Sequence, residues 1–415
     1  MMNARQQSNQ VQSMPGASNG HVKTVRVRQG GGLSRLPKGV DVKVAIVAGT
    51  RPEVIKLAPV RAALMERQGF EPVWISTEQQ SSLNSQTLEV MGVQPDLVLA
   101  PPSPDRSLGG RFAEVMDRLD GAFGILDPDF VLVQGDTSTT AAGAMAAFAR
   151  RIPIGHVEAG LRTFDLDRPF PEEGWRCVVG QLASLHFAPT QAAASNLIRT
   201  GVAPSKVHVT GNTGIDSVRL TGDRVRPEPL TNGLRRVLVT MHRRENWEGS
   251  LDRILSTLVR LRDHIDDIEI VFVAHANPLL RQRVFAYLGE QSRIRIVGPL
   301  DYLSFISFLK SATLILSDSG GVQEEAPSFG VPVLVLREST ERMEAVEAGV
   351  ARLVGVDPDV VLQTSTRLLL NEAERQQMVR TVSPFGDGHA ARRIVDVLQS
   401  APLSQHDFAQ IRAAV

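Results

Sequence analysis

The sequence predicts an α/β protein of parallel sheets covered by helices. From Lys43 onward, short runs rich in Val, Ile and Leu alternate with longer stretches of helical periodicity. Many of the apolar runs also end in a polar or glycine-bearing turn, as the carboxyl ends of open parallel strands do. The runs fall into two series. In the first, strands are expected at Val44–Ala48, Pro72–Ser76, Phe130–Gln134, Ile152–Val157 and Val207–Thr210, with helices filling the gaps. The second begins at Arg236 with VLVTMH and continues through IEIVFVAHA, RIRIVG, LILSDSG and PVLVL. Between them, Thr213–Asn232 contains RVRPEPLTNG, whose prolines and polar residues suit a connector better than a strand. The boundary between two sheet domains is therefore expected near 212–235.

A chain of 415 residues is long enough for two or three domains, each with its own core. Lys and Arg together number 45, as do Asp and Glu, so no global field attracts nucleic acid or an anionic membrane. Apolar runs stay short of the roughly 18 residues that a membrane span needs, and the first 40 residues contain no apolar core of a secretory signal. That leader is polar and glycine-rich and is read as a disordered tail, residues 1–40. The single cysteine, Cys177, fits a reducing compartment, and the cytoplasm is the expected location.

The chemistry is expected beyond the strand ends. GTRPEVIK, GDTSTT, EAGLRT, HRRENW, HANP and SDSGG each follow an apolar run. In SDSGGVQEE, Gly320 and Gly321 at a helix start let backbone N–H groups approach an anion, which suits a diphosphate; a tight turn would read the same way. Glu325, one turn further, suits a ribose diol or is a solvated helix charge. Arg51 and Lys56 reach an anion above the sheet, or form a surface ion pair; His242, Arg243 and Arg244 make a second cationic cluster. Asp136, Glu158 and Glu172, with its neighbour Glu173, are candidates for general acid–base work, with Arg162 and Arg176 as local cations. Taken singly, each is equally a cap or loop charge; Asp136 is placed to cap the helix of Ala141–Ala149. His156 is read as a core residue. The chain has no GxxxxGK[ST], no GxGxxG after its first strand, no HExxH and no CxxC pair, so neither a P-loop, a nicotinamide site nor a metal centre is expected.

Taken in order, GTRPEVIKLAPV, VQGDTSTTAAGAMAAF, RIPIGHVEAGLRT, PFPEEGWR, VTGNTGIDSV, TMHRREN, HANP, SDSGGVQEEAPSFGVPVLVLRESTERMEAVEAG and PFGDGHAARRI resemble the bacterial non-hydrolysing UDP-N-acetylglucosamine 2-epimerases, from about Lys43 to Val397. The resemblance implies two Rossmann-like domains of the GT-B type facing a cleft. Residues 41–212 would form the sugar-side domain and 213–389 the UDP-binding domain, and a helix over 390–415 would pack back on the first. It implies a homodimer, no cofactor and no metal, and interconversion of UDP-N-acetylglucosamine and UDP-N-acetylmannosamine. Asp136, Glu158 and Glu172 match catalytic carboxylates, and His242 an active-site histidine. Arg51, Lys56, Ser319, Gly320, Gly321, Glu325 and Arg342 match positions that hold UDP, and Phe305 one whose aromatic ring packs on uracil. Arg162, Arg243 and His275 complete the expected substrate-binding set.

The implied chemistry removes the proton at carbon 2 as UDP leaves carbon 1, and then returns UDP to enzyme-bound 2-acetamidoglucal with a proton on the other face. Glu158 or Asp136 would be the base and Glu172 the opposing acid. The chain also departs from the family. Gln79, Gln80 and Ser81 stand where many members have Gln-His-Arg near an activating site. Met343 replaces a proline, and Gly174-Trp175 replace residues beside Arg176, so that Trp175 either reshapes the sugar side or is a core aromatic. A glycosyltransferase or a hydrolysing enzyme would use the same cleft, and a silent UDP-sugar-binding protein would have no need of Asp136, Glu158, Glu172 and His242 together.

Overall fold

The computed structural model describes residues 41–78, 81–241, 249–275, 277–379 and 383–400, the side chains of 81–84 excepted. The tail 1–40, Gln79, Gln80, His242, Arg243 and the 401–415 end of the expected last helix lie outside the described residues.

The first unit runs β1 (Val42–Ala48), α1 (Arg51–Met65), β2 (Phe70–Ser76), α2 (Ser81–Val90), β3 (Leu97–Val98), α3 (Leu108–Leu126), β4 (Phe130–Gln134), α4 (Ser138–Ala149), β5 (Ile154–Val157), α5 (Glu172–Leu182), β6 (Leu185–Ala188), α6 (Gln191–Arg199), β7 (Val207–Val209) and α7 (Thr213–Gly222). The second continues with β8 (Arg235–Thr240), α8 (Ser250–His264), β9 (Ile268–Val273), α9 (Pro278–Leu288), β10 (Ile294–Val297), α10 (Tyr302–Ser311), β11 (Ala312–Ser317), α11 (Gly320–Glu325), β12 (Val333–Val335), α12 (Met343–Glu347), β13 (Ala351–Leu353), α13 (Pro358–Leu370), α14 (Glu372–Gln377) and α15 (Ala390–Ser400).

All strand pairs are parallel. The two sheets are ordered β3-β2-β1-β4-β5-β6-β7 and β10-β9-β8-β11-β12-β13. These are two Rossmann-like units of the GT-B type. Helices cover both faces of each sheet, so the central strands bury both sets of side chains, which is why β4 (FVLVQ) and β9 (IEIVFV) read as near-continuous apolar runs, broken only by Gln134 at the end of β4 and by Glu269, which pairs with the buried Arg236. In each sheet the strand order reverses once, between β1 and β4 and between β8 and β11, and a crevice opens there beyond the carboxyl ends.

Three short strands escape the sequence pattern: β3, β6 and β13. Each has two to four residues, too few to display a period. The expected strand Ile152–Val157 starts only at Ile154, because Pro153 has no N–H to give the ladder. The expected connector Thr213–Asn232 is corrected more substantially. Its first ten residues form α7, started by the Asn212 side chain accepting from Gly214 N at 2.8 Å, and Ile215 and Val218 enter the core of the second unit beside Tyr302 and Ile306. The remaining connector is strapped to that unit by Lys310 Nζ, which donates to Gly222 O and Val225 O at 2.8 Å, and by Arg236, which donates to the carbonyls of Glu228 and Pro229.

The last helix crosses back. Asp216 accepts from Ala390 N (3.1 Å) and Ala391 N (2.9 Å), capping α15, whose Ala391, Ile394, Val395 and Leu398 join Val44, Leu57, Leu64 and Trp74 in the core of the first unit.

Candidate functional site

The two switch points supply the site. At the first, the turn between β1 and α1 is organised by Glu53, whose buried carboxylate accepts from Gly49 N (2.9 Å), Thr50 N (2.7 Å) and Thr137 Oγ1 (2.6 Å). Thr137 belongs to the turn after β4, so one carboxylate ties the segment bearing Arg51 and Lys56 to the segment bearing Asp136. Burial raises the Glu53 pKa, with these donors opposing. Arg51 reaches the other unit, its Nη1 donating to Leu300 O at 2.7 Å.

Asp136 does not cap the following helix. Thr137 does, accepting from Thr140 N at 3.0 Å, which leaves Asp136 to Arg176 of α5, whose Nε and Nη2 lie 2.8 and 2.6 Å from Asp136 Oδ2. Gly135 adopts φ +75°, a left-handed conformation that suits glycine, and stands beside the Glu158 carboxylate. Glu158 itself, the residue after β5, has φ +62°, an uncommon conformation for a side-chain-bearing residue and one that concentrates at functional sites. Its carboxylate accepts from Gln134 Nε2 and from Lys56 Nζ. His156 is a core residue as expected: Nε2 meets Gly135 O at 2.8 Å, and burial lowers its pKa to about 4.

At the second switch point, Ser319 N donates to Ser317 Oγ at 3.0 Å, and Gly320 and Gly321 open α11. A Cβ at Gly320 would fall 2.6 Å from Arg342 Cζ, so that guanidinium would have to shift from the turn. The guanidinium of Arg342 lies against the glycine turn and pairs with Glu324 Oε1 through Nε (2.9 Å) and with Glu341 through Nη1.

The two clusters meet through Lys56, whose ammonium pairs with Glu158 of the first unit and, at 2.9 Å, with Glu324 of the second. From there charges alternate in sign: Glu158, Lys56, Glu324, Arg342, Glu341, Arg176, Asp136, the Arg176–Glu341 step being 3.9 Å. Arg337 also holds Glu341, at 2.9 Å, and the Thr190 hydroxyl donates to Glu344, a further link between the units. Pairs this buried cost desolvation, so the network fixes geometry more than it adds stability.

The electrostatics are unequal. Burial opposes the charge on Lys56, but Glu158 and Glu324 outweigh it and raise its pKa. Burial likewise works against the Glu324 carboxylate, yet Lys56 and Arg342 hold it down at about 2. Its neighbour Glu325, pushed by burial and then by Glu324, rises to about 7, and is 8% exposed rather than a solvated helix charge. Burial raises Glu158, with Lys56 opposing.

The remaining candidates lie around this centre. Glu172 begins α5 half-buried, its Oε2 screened from solvent and without a hydrogen-bond partner. Arg162 turns instead to Glu173 (2.7 Å) and Cys177 Sγ (3.0 Å), and Glu173 reaches Arg176 at 3.3 Å, so Arg162 braces the Asp136 partner from behind. Phe305 on α10 is partly buried against the core of the second unit. His275 follows β9, its Nδ1 accepting from Asn277 N at 3.0 Å. Trp175 stacks on Phe112 (centroids 4.9 Å apart, planes at 9°) against the core around α3 and α4, the core-aromatic alternative. Among the described residues, no three His, Cys, Asp or Glu side chains are grouped to hold a metal ion.

Glu324, Glu341, Gln134 and Glu53 were not picked out from the sequence, although each stands within a quoted motif or strand. Adjacent carboxylates in QEE are indistinguishable without a view of which one faces Lys56.

The profile of the UDP-N-acetylglucosamine 2-epimerase family matches residues 62–399. The UDP-N-acetylglucosamine 2-epimerase of Escherichia coli strain K12 is 42% identical over 375 residues, covering 88% of this chain and all of that protein. The structure of the Neisseria meningitidis UDP-GlcNAc 2-epimerase bound to UDP-GlcNAc superposes with a TM-score of 0.83 at 35% identity, over 87% of this chain and 100% of that one. The S. aureus MnaA–UDP co-structure does so with a TM-score of 0.81 at 41% identity, over 86% and 96%.

Proposed function

The chain belongs to the UDP-N-acetylglucosamine 2-epimerase family, and from that premise we propose that it interconverts UDP-N-acetylglucosamine and UDP-N-acetylmannosamine without hydrolysis, by eliminating and re-adding UDP. One observation carries the reading: Lys56 gathers Glu158 from one sheet unit and Glu324 from the other, between a glycine-bearing helix start and a pair of strand-end carboxylates. Cations and backbone donors set beside strand-end carboxylates, with charges alternating across the two units, give the charge pattern that the elimination needs.

In this reading the diphosphate rests on the N–H groups of Gly320 and Gly321 beside Ser319, with Arg342, Arg51 and Lys56 as its cations, joined by Arg243, while Arg162, expected among the substrate-binding residues, is turned to Glu173 and Cys177 and acts through Arg176. Glu325 faces the ribose, Phe305 the uracil, and His275 the rim. Carbon 2 of the sugar is weakly acidic, so breaking the C1–O bond to UDP must accompany loss of the C2 proton; the cations stabilise the charge that develops on the leaving diphosphate. Glu158 or Asp136 takes that proton, giving 2-acetamidoglucal and UDP. Re-forming the C1–O bond while Glu172 delivers a proton to the opposite face completes the inversion at carbon 2, with His242 at the transferring oxygen. The half-buried, unpartnered Oε2 of Glu172 supports the proton-delivering role.

The test is proton NMR with UDP-N-acetylglucosamine in deuterated water. UDP-N-acetylmannosamine carrying deuterium at carbon 2 supports the proposal; free N-acetylmannosamine with released UDP replaces it with hydrolysis.

The protein is further proposed to act in the cytoplasm as a homodimer that supplies N-acetylmannosamine units to surface or exopolysaccharide synthesis. Among the described residues no helix is long and apolar enough to cross a membrane. Ile125 of α3 and Phe148 of α4, 77% and 55% exposed on neighbouring helices, are apolar side chains suited to a second copy. Light scattering on Ile125→Asp tests this: a dimer that persists unchanged removes that pair from consideration.

A further inference from the structure

We propose that Glu324 is a positioning residue for the general base: by sharing the Lys56 ammonium with Glu158, it loosens the hold of Lys56 on Glu158 when the two units meet. This rests on the reading of Glu158 as the base.

The geometry is a buried ammonium between two carboxylates that arrive from different sheets. Lys56 projects from α1 and Glu158 from the end of β5, both in the first unit; Glu324 projects from α11 in the second, with its Oε2 2.9 Å from Lys56 Nζ. Side-chain exposures are 9% for Lys56, 7% for Glu158 and 2% for Glu324, so water screens little of the interaction. Glu324 cannot turn away, because Arg342 Nε holds its other oxygen at 2.9 Å. The groups facing Glu158 are Lys56 from α1, Gln134 from β4, Glu324 from α11 and Arg342 from the turn before α12, with Asp136, Arg176 and Glu341 beyond Arg342.

With Lys56 alone, Glu158 would be a tightly paired carboxylate and a poor base. Glu324 adds a second anion that competes for the ammonium and repels Glu158 directly, and both effects favour the form of Glu158 that accepts a proton. Because Glu324 lies on the opposite unit, this occurs only where the units are in contact, the same arrangement that brings the glycine turn and the strand-end carboxylates around a substrate. Proton abstraction is thereby coupled to closure, without a mobile base. Glu324 and Glu325 divide the work: the first, pinned by two cations, is a fixed negative charge, whereas the second, held by none at hydrogen-bond distance, is left to the ligand side.

The experiment is the pH dependence of kcat/KM for UDP-N-acetylglucosamine, with wild type, Glu324→Gln and Glu324→Asp compared by NMR of the carbon-2 proton. The acidic limb reports the base of the free enzyme. The expected result for Glu324→Gln is a limb displaced to lower pH by roughly one unit and a kcat lowered roughly three- to tenfold, with KM little changed. Glu324→Asp, whose carboxylate is drawn back by one methylene, falls between the two. A residue that only braced Arg342 would raise KM and lower Tm without moving the limb. Wild type that epimerises while both active variants keep its limb overturns this proposal and leaves the epimerase reading standing. Wild type that never exchanges the carbon-2 proton removes both. If Glu324→Gln does not fold, Glu324→Asp alone decides, since an unmoved limb there is also contrary.

Discussion

At the switch point of the first sheet, Asp136 and Glu158 are each held by another side chain, Arg176 and the Lys56–Gln134 pair, whereas at that of the second sheet the essential feature is backbone, the Ser319–Gly321 turn with Arg342 laid against it. The difference follows from what each edge is proposed to do. Proton transfer requires one oxygen at a defined place and basicity, and only directional side-chain partners set both. A diphosphate is bound by several N–H groups and delocalised charge, which a bare helix start and an arginine fork provide with little need for exact pKa control.

If the two edges divide chemistry from binding in this way, substitutions should separate them. The largest effect is expected from Glu158→Gln, which keeps the shape, turns one of the two accepting oxygens into an NH2 donor and removes the base: epimerisation falls by about 10²–10⁴-fold, while calorimetry still finds UDP bound. Parallel loss of UDP affinity would show that the edges are not separable. Gly320→Ala should do the reverse. Its methyl meets Arg342 Cζ at 2.6 Å and must displace the guanidinium, so UDP binding weakens by roughly 10- to 100-fold, the worth of charged hydrogen bonds, with kcat far less affected.

A third expectation concerns the first sheet alone. His156 and His186 pair across β5 and β6, and burial lowers them to about 4 and about 3. Both are neutral in the fold, while an unfolded histidine titrates near ~6.5. The unfolded chain therefore binds more protons at intermediate pH. This contribution is complete above about pH 6.5 and is lost as pH falls toward the folded values. The melting temperature should drop steadily between pH 6.5 and 4, and replacing His156 with Gln should flatten that slope. The smallest effect is expected at Trp175. Its stack on Phe112 places it in the core, so Trp175→Phe should lower stability by about 1 kcal/mol and leave KM unaltered; a changed preference between sugar substrates would instead return it to the cleft.

Much of this architecture was legible in the chain. Parallel strands buried on both faces read as near-continuous apolar runs, so β1, β4, β8, β9 and β11 announced themselves, and with β1, β4 and β11 the turns that carry Arg51, Asp136 and Ser319. Strands β3, β6 and β13 did not, because two to four residues show no period and these are together poor in the Val and Ile that mark the equally short β5, β7, β10 and β12. The start of α7 was concealed by the prolines further along its own segment.

The sequence by itself determined the fold class, the strand ends at which chemistry is placed, and, by resemblance, the family. Only the tertiary structure decided which of several adjacent charges face one another. Glu324 and Glu325 are neighbours in one motif, yet one is held by Lys56 and Arg342 and the other is not; Asp136 stood in a helix-capping position and instead meets an arginine forty residues on. Such choices depend on crossings between two sheets and on desolvation, which act over a few ångströms in space and leave no trace in spacing along the chain.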